Sequence, residues 1–274
     1  MDAVLNDFDL YLSRLGYDET PPPTLETLRA LQLRHTMAFP FETLSTALRE
    51  HVPIDLPSLE HKLLHEGRGG YCYELNRLFH ALLRRLGYRV RGVTGWVVMG
   101  GPEDAEVART HLALLVELDG VRWLVDVGFG GMVPSGPLHL EERGAQATPH
   151  EPFRLDRRGD GWMLRAQVAG EWRALYRFDL SPPSTIDHEV GNWYVSTHPA
   201  SPFRDRLIAA RLGPGLRRTL DGARYTEHRL GEAGRRVTFD SVDAVIEALT
   251  RDFGIRVPAH PHLHEAIARQ LARD

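Results

Sequence analysis

The segment "HLALLVELDGVRWLVD", residues 111–126, admits very few folded arrangements. Asp119-Gly120 at its centre is a type I′ turn signal, because both turn residues must adopt positive φ. Leu118 then faces Val121, Glu117 faces Arg122 and Leu114 faces Val125. One side of the ribbon collects Leu112, Leu114, Val116 and Leu118 against Val121, Trp123, Val125 and Val127, all apolar. The other side sets Glu117 against Arg122, opposite charges across the ladder. A slip of one residue would mix the two faces, so the pattern itself specifies the pairing. Asp126 falls opposite Ala113, with His111 two residues along on the same face. Such diagonal neighbours lie about 7–8 Å apart at the backbone, within side-chain reach. Small Ala113 leaves room for the carboxylate to meet the imidazole. Taken singly, His111 is better explained as a satisfied, partly buried histidine, and Asp126 as a strand-end turn residue.

Around this hairpin the chain divides by period. Residues 1–88 follow helical spacing: "DLYLSRLGY" before Gly16, "TLETLRALQLRHTMA" with Thr24 as N-cap, and "SLEHKLLHEG" ended by Gly67. A fourth helix runs from Cys72, with Leu75, Phe79, Leu82, Leu83 and Leu86 on its apolar side and Gly87 as its stop. Residues 89–198 switch to period two, as in "RVRGVTGWVV", "PFRLD", "GWMLRAQV" and "EWRALYRFDL", with turn signals between them. Consecutive strands predict an antiparallel sheet or barrel. Residues 199–274 mix short strands ("RLIAARL", "ARYTEHRL", "RRVTFD") with helices over 241–252 and 262–273, the first capped by Asp240 or Ser241. The class is α+β: a helical bundle, then a β-barrel, then an α/β lid.

Composition removes several function classes. A formal charge of −4 gives no electrostatic case for nucleic acid or an anionic membrane as partner. The opening "MDAVLNDFDLYL" has no basic n-region, and no long uncharged apolar run follows. Neither a signal peptide nor a membrane span is expected. A single cysteine forms no intramolecular disulfide, which suits a reducing compartment, so a cytoplasmic location is expected. Lys62 is the only lysine, which excludes a P-loop.

That one cysteine stands in "GRGGYCYELNRLF", residues 67–79, where the fourth helix begins. A free thiol is mostly protonated at neutral pH. Unpaired N–H groups at a helix start favour the thiolate, and so does a nearby imidazolium. Gly69 and Gly70 are expected to let the backbone enter tightly and to leave space above the sulfur. An inert buried thiol is the plain alternative. With His111 as base and Asp126 orienting it, the three residues read as a Cys-His-Asp triad. The helix-start N–H groups would hold an oxyanion.

"RGGYCYELN" (68–76) resembles the RGGxCxExN signature of the arylamine N-acetyltransferases. "YLSRLGY" (11–17), "FPFETL" (39–44), "DVGFG" (126–130) and "NWYVSTHPASPF" (192–203) are similar to further elements of that family, in the same order. The resemblance implies Cys72, His111 and Asp126 as the triad. It places Phe41, Phe129 and Gly130 at the acceptor pocket, with Arg14, Glu42, Arg68, Gly69 and Gly70 in support. It also implies a thiol-protease-like arrangement of the triad and ping-pong chemistry. Acetyl-CoA, a co-substrate rather than a resident cofactor, acylates the cysteine, and an arylamine or hydrazine takes the acetyl group. No metal and no obligatory protein partner are implied. Thr43 departs from the family, where asparagine is common. Arg204, Arg206, Arg211, Arg217 and Arg218 are candidates for the CoA phosphates, a solvated charged face being the alternative.

An acyl-cysteine is common to several enzymes, so an amide synthase or another thiol acyltransferase or protease is the alternative reading. The histidines of "HPHLHE" (260–265) alternate as strand spacing would require, whereas the region reads as a helix start, so a metal site is not expected there.

Overall fold

A computed structural model describes residues 4–273; the first three residues of the acidic opening segment lie outside the described residues. The architecture is the expected α+β. Helices α1 (Phe8–Arg14) and α2 (Leu25–Ala38) lead, and the Thr24 hydroxyl accepts from the Thr27 N–H as N-cap. Then come β1 (Phe41–Glu42), the single turn α3 (Leu44–Ala47) and α4 (Leu56–Leu59). The third expected helix is partly something else: α4 runs into a π-helical turn at Glu60–His65 before Gly67, at φ +66°, stops it. Helix α5 (Cys72–Arg85) begins at the cysteine as expected and ends at Gly87.

Seven antiparallel strands form a nearly closed barrel: β2 (Arg89–Val97), β3 (Arg109–Leu118), β4 (Val121–Val125), β5 (Leu138–His139), β6 (Phe153–Arg158), β7 (Gly161–Val168) and β8 (Glu171–Phe178). Their order is β5-β4-β3-β2-β8-β7-β6. Helix α6 (Thr185–Thr197) follows, capped by Ser184, where no helix was expected. The last part pairs β9 (Ile208–Gly213), β10 (Leu216–Asp221), β11 (Arg224–Arg229) and β12 (Arg235–Thr238). Strand β1 completes that sheet at the β9 edge, with Phe41 opposite Ala210. Helices α7 (Val242–Arg251) and α8 (Leu263–Leu271) cover it, and the Ser241 side chain caps α7. Among the described residues no helix is long and apolar enough to cross a membrane.

The hairpin has the register its sequence predicts, with Leu118 opposite Val121 and Leu114 opposite Val125. Two details differ. Glu117 and Arg122 do face each other, but Glu117 is ion-paired with Arg89 at 3.1 Å and Arg122 with Glu141. Arg89 on β2 and Glu141 in the turn after β5 compete for the two side chains. Nor is the second face mainly polar. Leu112, Leu114 and Val116 pack with Leu75, Phe79 and Leu83 of α5. On the other face, Ala113 and Leu115 enter the barrel interior with Leu124, Leu164 and Tyr176. Strand β3 is therefore buried on both sides, each leucine contributing about 1.5–3 kcal/mol of burial. This double burial fixes where His111 stands.

Candidate active site

The β3–β4 ladder stops one residue short of Asp126, which begins the loop after the hairpin. His111 Nε2 lies 2.7 Å from Asp126 Oδ2. An ionised carboxylate only accepts, so Nε2 carries the proton and Nδ1 is the nitrogen left for the sulfur. Cys72 acts on the imidazole from the other side, and its Sγ stands 3.7 Å from the Thr110 carbonyl. All three side chains are buried: Cys72 is 3% exposed, His111 2% and Asp126 0%.

Four donors converge on the Asp126 carboxylate. His111 and the Tyr176 hydroxyl (3.0 Å) serve Oδ2, while Asn76 Nδ2 (3.0 Å) and the Gly128 N–H (2.9 Å) serve Oδ1. Gln32 holds the Asp126 main-chain carbonyl at 3.1 Å. Burial alone would raise this carboxyl's pKa. His111 and the other donors outweigh it and hold the group below the usual carboxylate range. Burial likewise opposes a charged His111, but Asp126 and Cys72 outweigh it and push the imidazole up to about 10. The arrangement can therefore keep an imidazolium beside a sulfur in a dry site.

Asn76 and Tyr176 were not singled out from sequence. Asn76 had a local signal, a polar residue four positions after Cys72 on the buried face of α5. Tyr176 had none beyond its strand, because its approach depends on β2 pairing with β8. Gly95 makes that approach possible: a Cβ there would stand 3.0 Å from the tyrosine ring.

The glycines before the cysteine give the tight backbone entry expected of them, but the space they clear is taken by Pro40 and Glu74 rather than left above the sulfur. A Cβ on Gly69 would overlap the Pro40 carbonyl, and one on Gly70 would sit 2.7 Å from Glu74 Oε2. They make room for β1 and for Glu74, whose carboxylate accepts from the Tyr71 N–H at 3.1 Å. The residue that lies over the Cys72 backbone is Gly128, where a Cβ would be 2.7 Å from Cys72 Cα.

Behind the helix start lies a buried charge cluster. Arg68 pairs with Glu42 at 2.8 Å and Lys62 with Glu74 at 2.6 Å. Burial raises both carboxyls. For Glu42 the charges of Arg68 and Lys62 win and its pKa is lowered; for Glu74 burial wins and its pKa is raised. Arg14 has its hydrogen bond elsewhere, to the Leu64 carbonyl at 2.9 Å, and lies over the Phe39 ring. It buttresses the bundle without bonding to Cys72, His111 or Asp126. Thr43 accepts from the Ile208 N–H at 2.8 Å and donates to the Arg206 carbonyl at 2.9 Å, tying β1 to β9.

Phe129 stands edge-on to His111, with ring centres 4.9 Å apart. A Cβ on Gly130 would touch the Phe41 ring at 3.5 Å, and Phe41 packs edge-on against Phe203 at 5.8 Å. Phe203, which sequence reasoning gave no role, packs on Phe41 and on Tyr71. Of the arginine candidates in the last part, Arg206, Arg217 and Arg218 are ion-paired with Asp221, Glu151 and Glu227. Arg211 donates to the Met37 and Phe253 carbonyls. Among the described residues no three His, Cys, Asp or Glu side chains converge as metal ligands.

A profile of the N-acetyltransferase family matches residues 24–261. The arylamine N-acetyltransferase of Mycolicibacterium smegmatis is 44% identical over 253 residues, spanning 91% of this chain and 92% of that protein. A Salmonella typhimurium protein named arylamine N-acetyltransferase / N-hydroxyarylamine O-acetyltransferase is 38% identical over 248 residues, 90% of this chain and 88% of its own. The solved structure of Mycobacterium marinum arylamine N-acetyltransferase in complex with CoA superposes with a TM-score of 0.91 at 42% identity, covering 95% of this chain and 98% of that one.

Proposed function

Because this chain belongs to the arylamine N-acetyltransferase family of acyltransferases, we propose that it carries an acetyl group from acetyl-CoA to an aromatic amine or hydrazine through acetyl-Cys72. In the first half-reaction the Cys72 thiolate attacks the thioester carbonyl, forming a carbon–sulfur bond. The N–H groups of the first turn of α5, which a helix leaves without intrahelical partners, receive the oxyanion. The bond to the CoA sulfur breaks, and the His111 imidazolium gives its proton to that sulfur. In the second half-reaction the acceptor nitrogen attacks the acetyl carbonyl, neutral His111 takes a proton from it, and Cys72 leaves as thiolate. Asp126 stays ionised throughout and fixes the tautomer. Phe41, Phe129, Gly130 and Phe203 would flank the acceptor ring. Glu42, Arg68, Gly69 and Gly70 would keep the helix start in place.

The observation that supports this reading most is the buried line from the only cysteine through His111 to Asp126. An amide synthase would form the same kind of acyl-enzyme. The relatives matched over nine-tenths of the chain favour acetyl transfer to arylamines instead. Intact-mass analysis after mixing with acetyl-CoA tests the proposal. One acetyl group should appear on Cys72, vanish when an aromatic hydrazide is added, and be absent from Cys72→Ala. A wild-type enzyme that acetylates the hydrazide without ever carrying the acetyl group would refute it.

A further inference from the structure

A cavity of about 390 Å³ lies against a different face of α5 from Cys72, between that helix, the start of α6 and the β2–β3 surface. This is within the ordinary range of small-molecule pockets, about 300–1,000 Å³. Its apolar lining includes Leu112 and Leu114 of β3, whose side chains point away from the His111 face. Arg77, His80, Arg84, Arg85 and His188 also line it, and among the described residues no carboxylate does.

Two of these basic groups have unused donors or acceptors. Half-buried Arg77 makes no hydrogen bond or ion pair with the protein among the described residues; Asp55 and Glu189 act on it only as more distant charges. His188 Nε2 is buried with no hydrogen-bond partner. Gly92 of β2 gives that imidazole its room, since a Cβ there would stand 3.2 Å from it. Burial first, and then Arg77 and His80, push His188 down to about 4, so it faces the cavity uncharged and adds no repulsion to Arg77. A half-buried guanidinium without a partner keeps its fork available to an anion.

We propose that this cavity is a second ligand site, separate from the acyl-transfer centre, for a small organic anion with an aromatic body. The anionic oxygens would meet the Arg77 fork beside the uncharged His188 ring, and the aromatic body would fill the apolar part of the cavity next to Ala81. A carboxylate and a phosphate monoester share this chemistry.

Isothermal titration of the intact enzyme with 1-naphthoate, with 1-naphthyl phosphate and with uncharged 1-naphthalenemethanol tests the assignment. At least one anion should bind one-to-one and about tenfold or more tighter than the alcohol; which one binds distinguishes carboxylate from phosphate. Arg77→Gln should weaken that anion by about tenfold, and Ala81→Phe, which fills the cavity, should abolish binding. Both variants should form acetyl-enzyme at the wild-type rate, which keeps this result independent of the proposed mechanism. Arg77→Gln alone remains informative if Ala81→Phe fails to fold. No saturable binding of either anion, equal binding of the alcohol, or an affinity that survives Arg77→Gln would overturn the proposal.

Discussion

Asn76 ties the helix that begins at Cys72 to the Asp126 carboxylate: its Nδ2 donates to Asp126 Oδ1 at 3.0 Å and to the Leu112 carbonyl at 2.7 Å, while its own oxygen accepts from the Val127 N–H at 3.0 Å. No polar atom of this buried amide is idle. Asn76→Ala leaves three buried groups short of a partner, at about 1–3 kcal/mol for each left unsatisfied. The variant should melt several degrees lower and acylate Cys72 at least about tenfold more slowly, the rate equivalent of about 1.4 kcal/mol. Stopped mass-spectrometric time courses would check it. A variant that melts lower but acylates normally would deny Asn76 any part in positioning Asp126.

Asp126 sets the pH range of His111. The imidazole is pushed up to about 10 in the fold, against an ordinary value of about 6.5 when unfolded. Its charge therefore stabilises the fold fully below about pH 6.5, and that contribution is lost as pH rises toward 10. Asp126→Asn removes the main opposing charge, so burial prevails and His111 gives up its proton at lower pH. The alkaline limb of acetyl-enzyme formation should shift to lower pH in this variant, alongside a large loss of rate. An alkaline limb identical to wild type would contradict the assignment.

His35 has the opposite sign. It is wholly buried among Tyr11, Phe39 and Phe79, neither ring nitrogen has a partner, and burial holds it down to about 3. Below the unfolded value of about 6.5 the unfolded chain takes a proton that the fold refuses, at about 1.4 kcal/mol per pH unit. Stability should fall with pH over that range. His35→Leu should flatten the slope between about pH 6 and 4.5 and raise stability there, as read from urea midpoints. The carboxylates and His188 titrate alike in both proteins, so the difference between the two slopes isolates His35. Parallel slopes would refute this.

The only lysine is committed to Glu74. Lys62→Met leaves the Glu74 carboxyl buried without its cation, and breaking such a pair costs about 3–5 kcal/mol unless the acid takes up a proton. The double variant Lys62→Met/Glu74→Gln keeps an acceptor for the Tyr71 N–H and removes both charges. It should be more stable than Lys62→Met alone, by denaturant titration. Losses that simply add would show that the two residues are uncoupled.

How much of this was legible in the sequence depended on distance along the chain. The α5 boundaries and the hairpin register are written locally, in a glycine stop, a turn dipeptide and an alternating pattern. The contact between His111 and Asp126 follows from them. Tyr176 reaches the same carboxylate only because β8 lies beside β2, a pairing that no short pattern encodes. Helix α6 was missed because Gly191 interrupts it and Ile186, Val190 and Trp193 face outward, so its apolar residues mark no buried stripe. The π-helical turn before Gly67 has no periodicity to distinguish it from α-helix. At Gly69 and Gly70 the tight backbone entry was legible but not what it makes room for, since Pro40 comes from a distant turn of chain and Glu74 from the first turn of the helix.

The Asp126 carboxylate draws its donors from a helix, two non-adjacent strands and its own loop. None of these segments can dock alone and leave the anion satisfied. A partly assembled molecule thus harbours an orphaned charge at its centre rather than a weakened version of the site. The fraction of chains that can be titrated at the sulfur by an acyl donor is in consequence a census of completed folds, more stringent than any spectroscopic measure of helix or sheet.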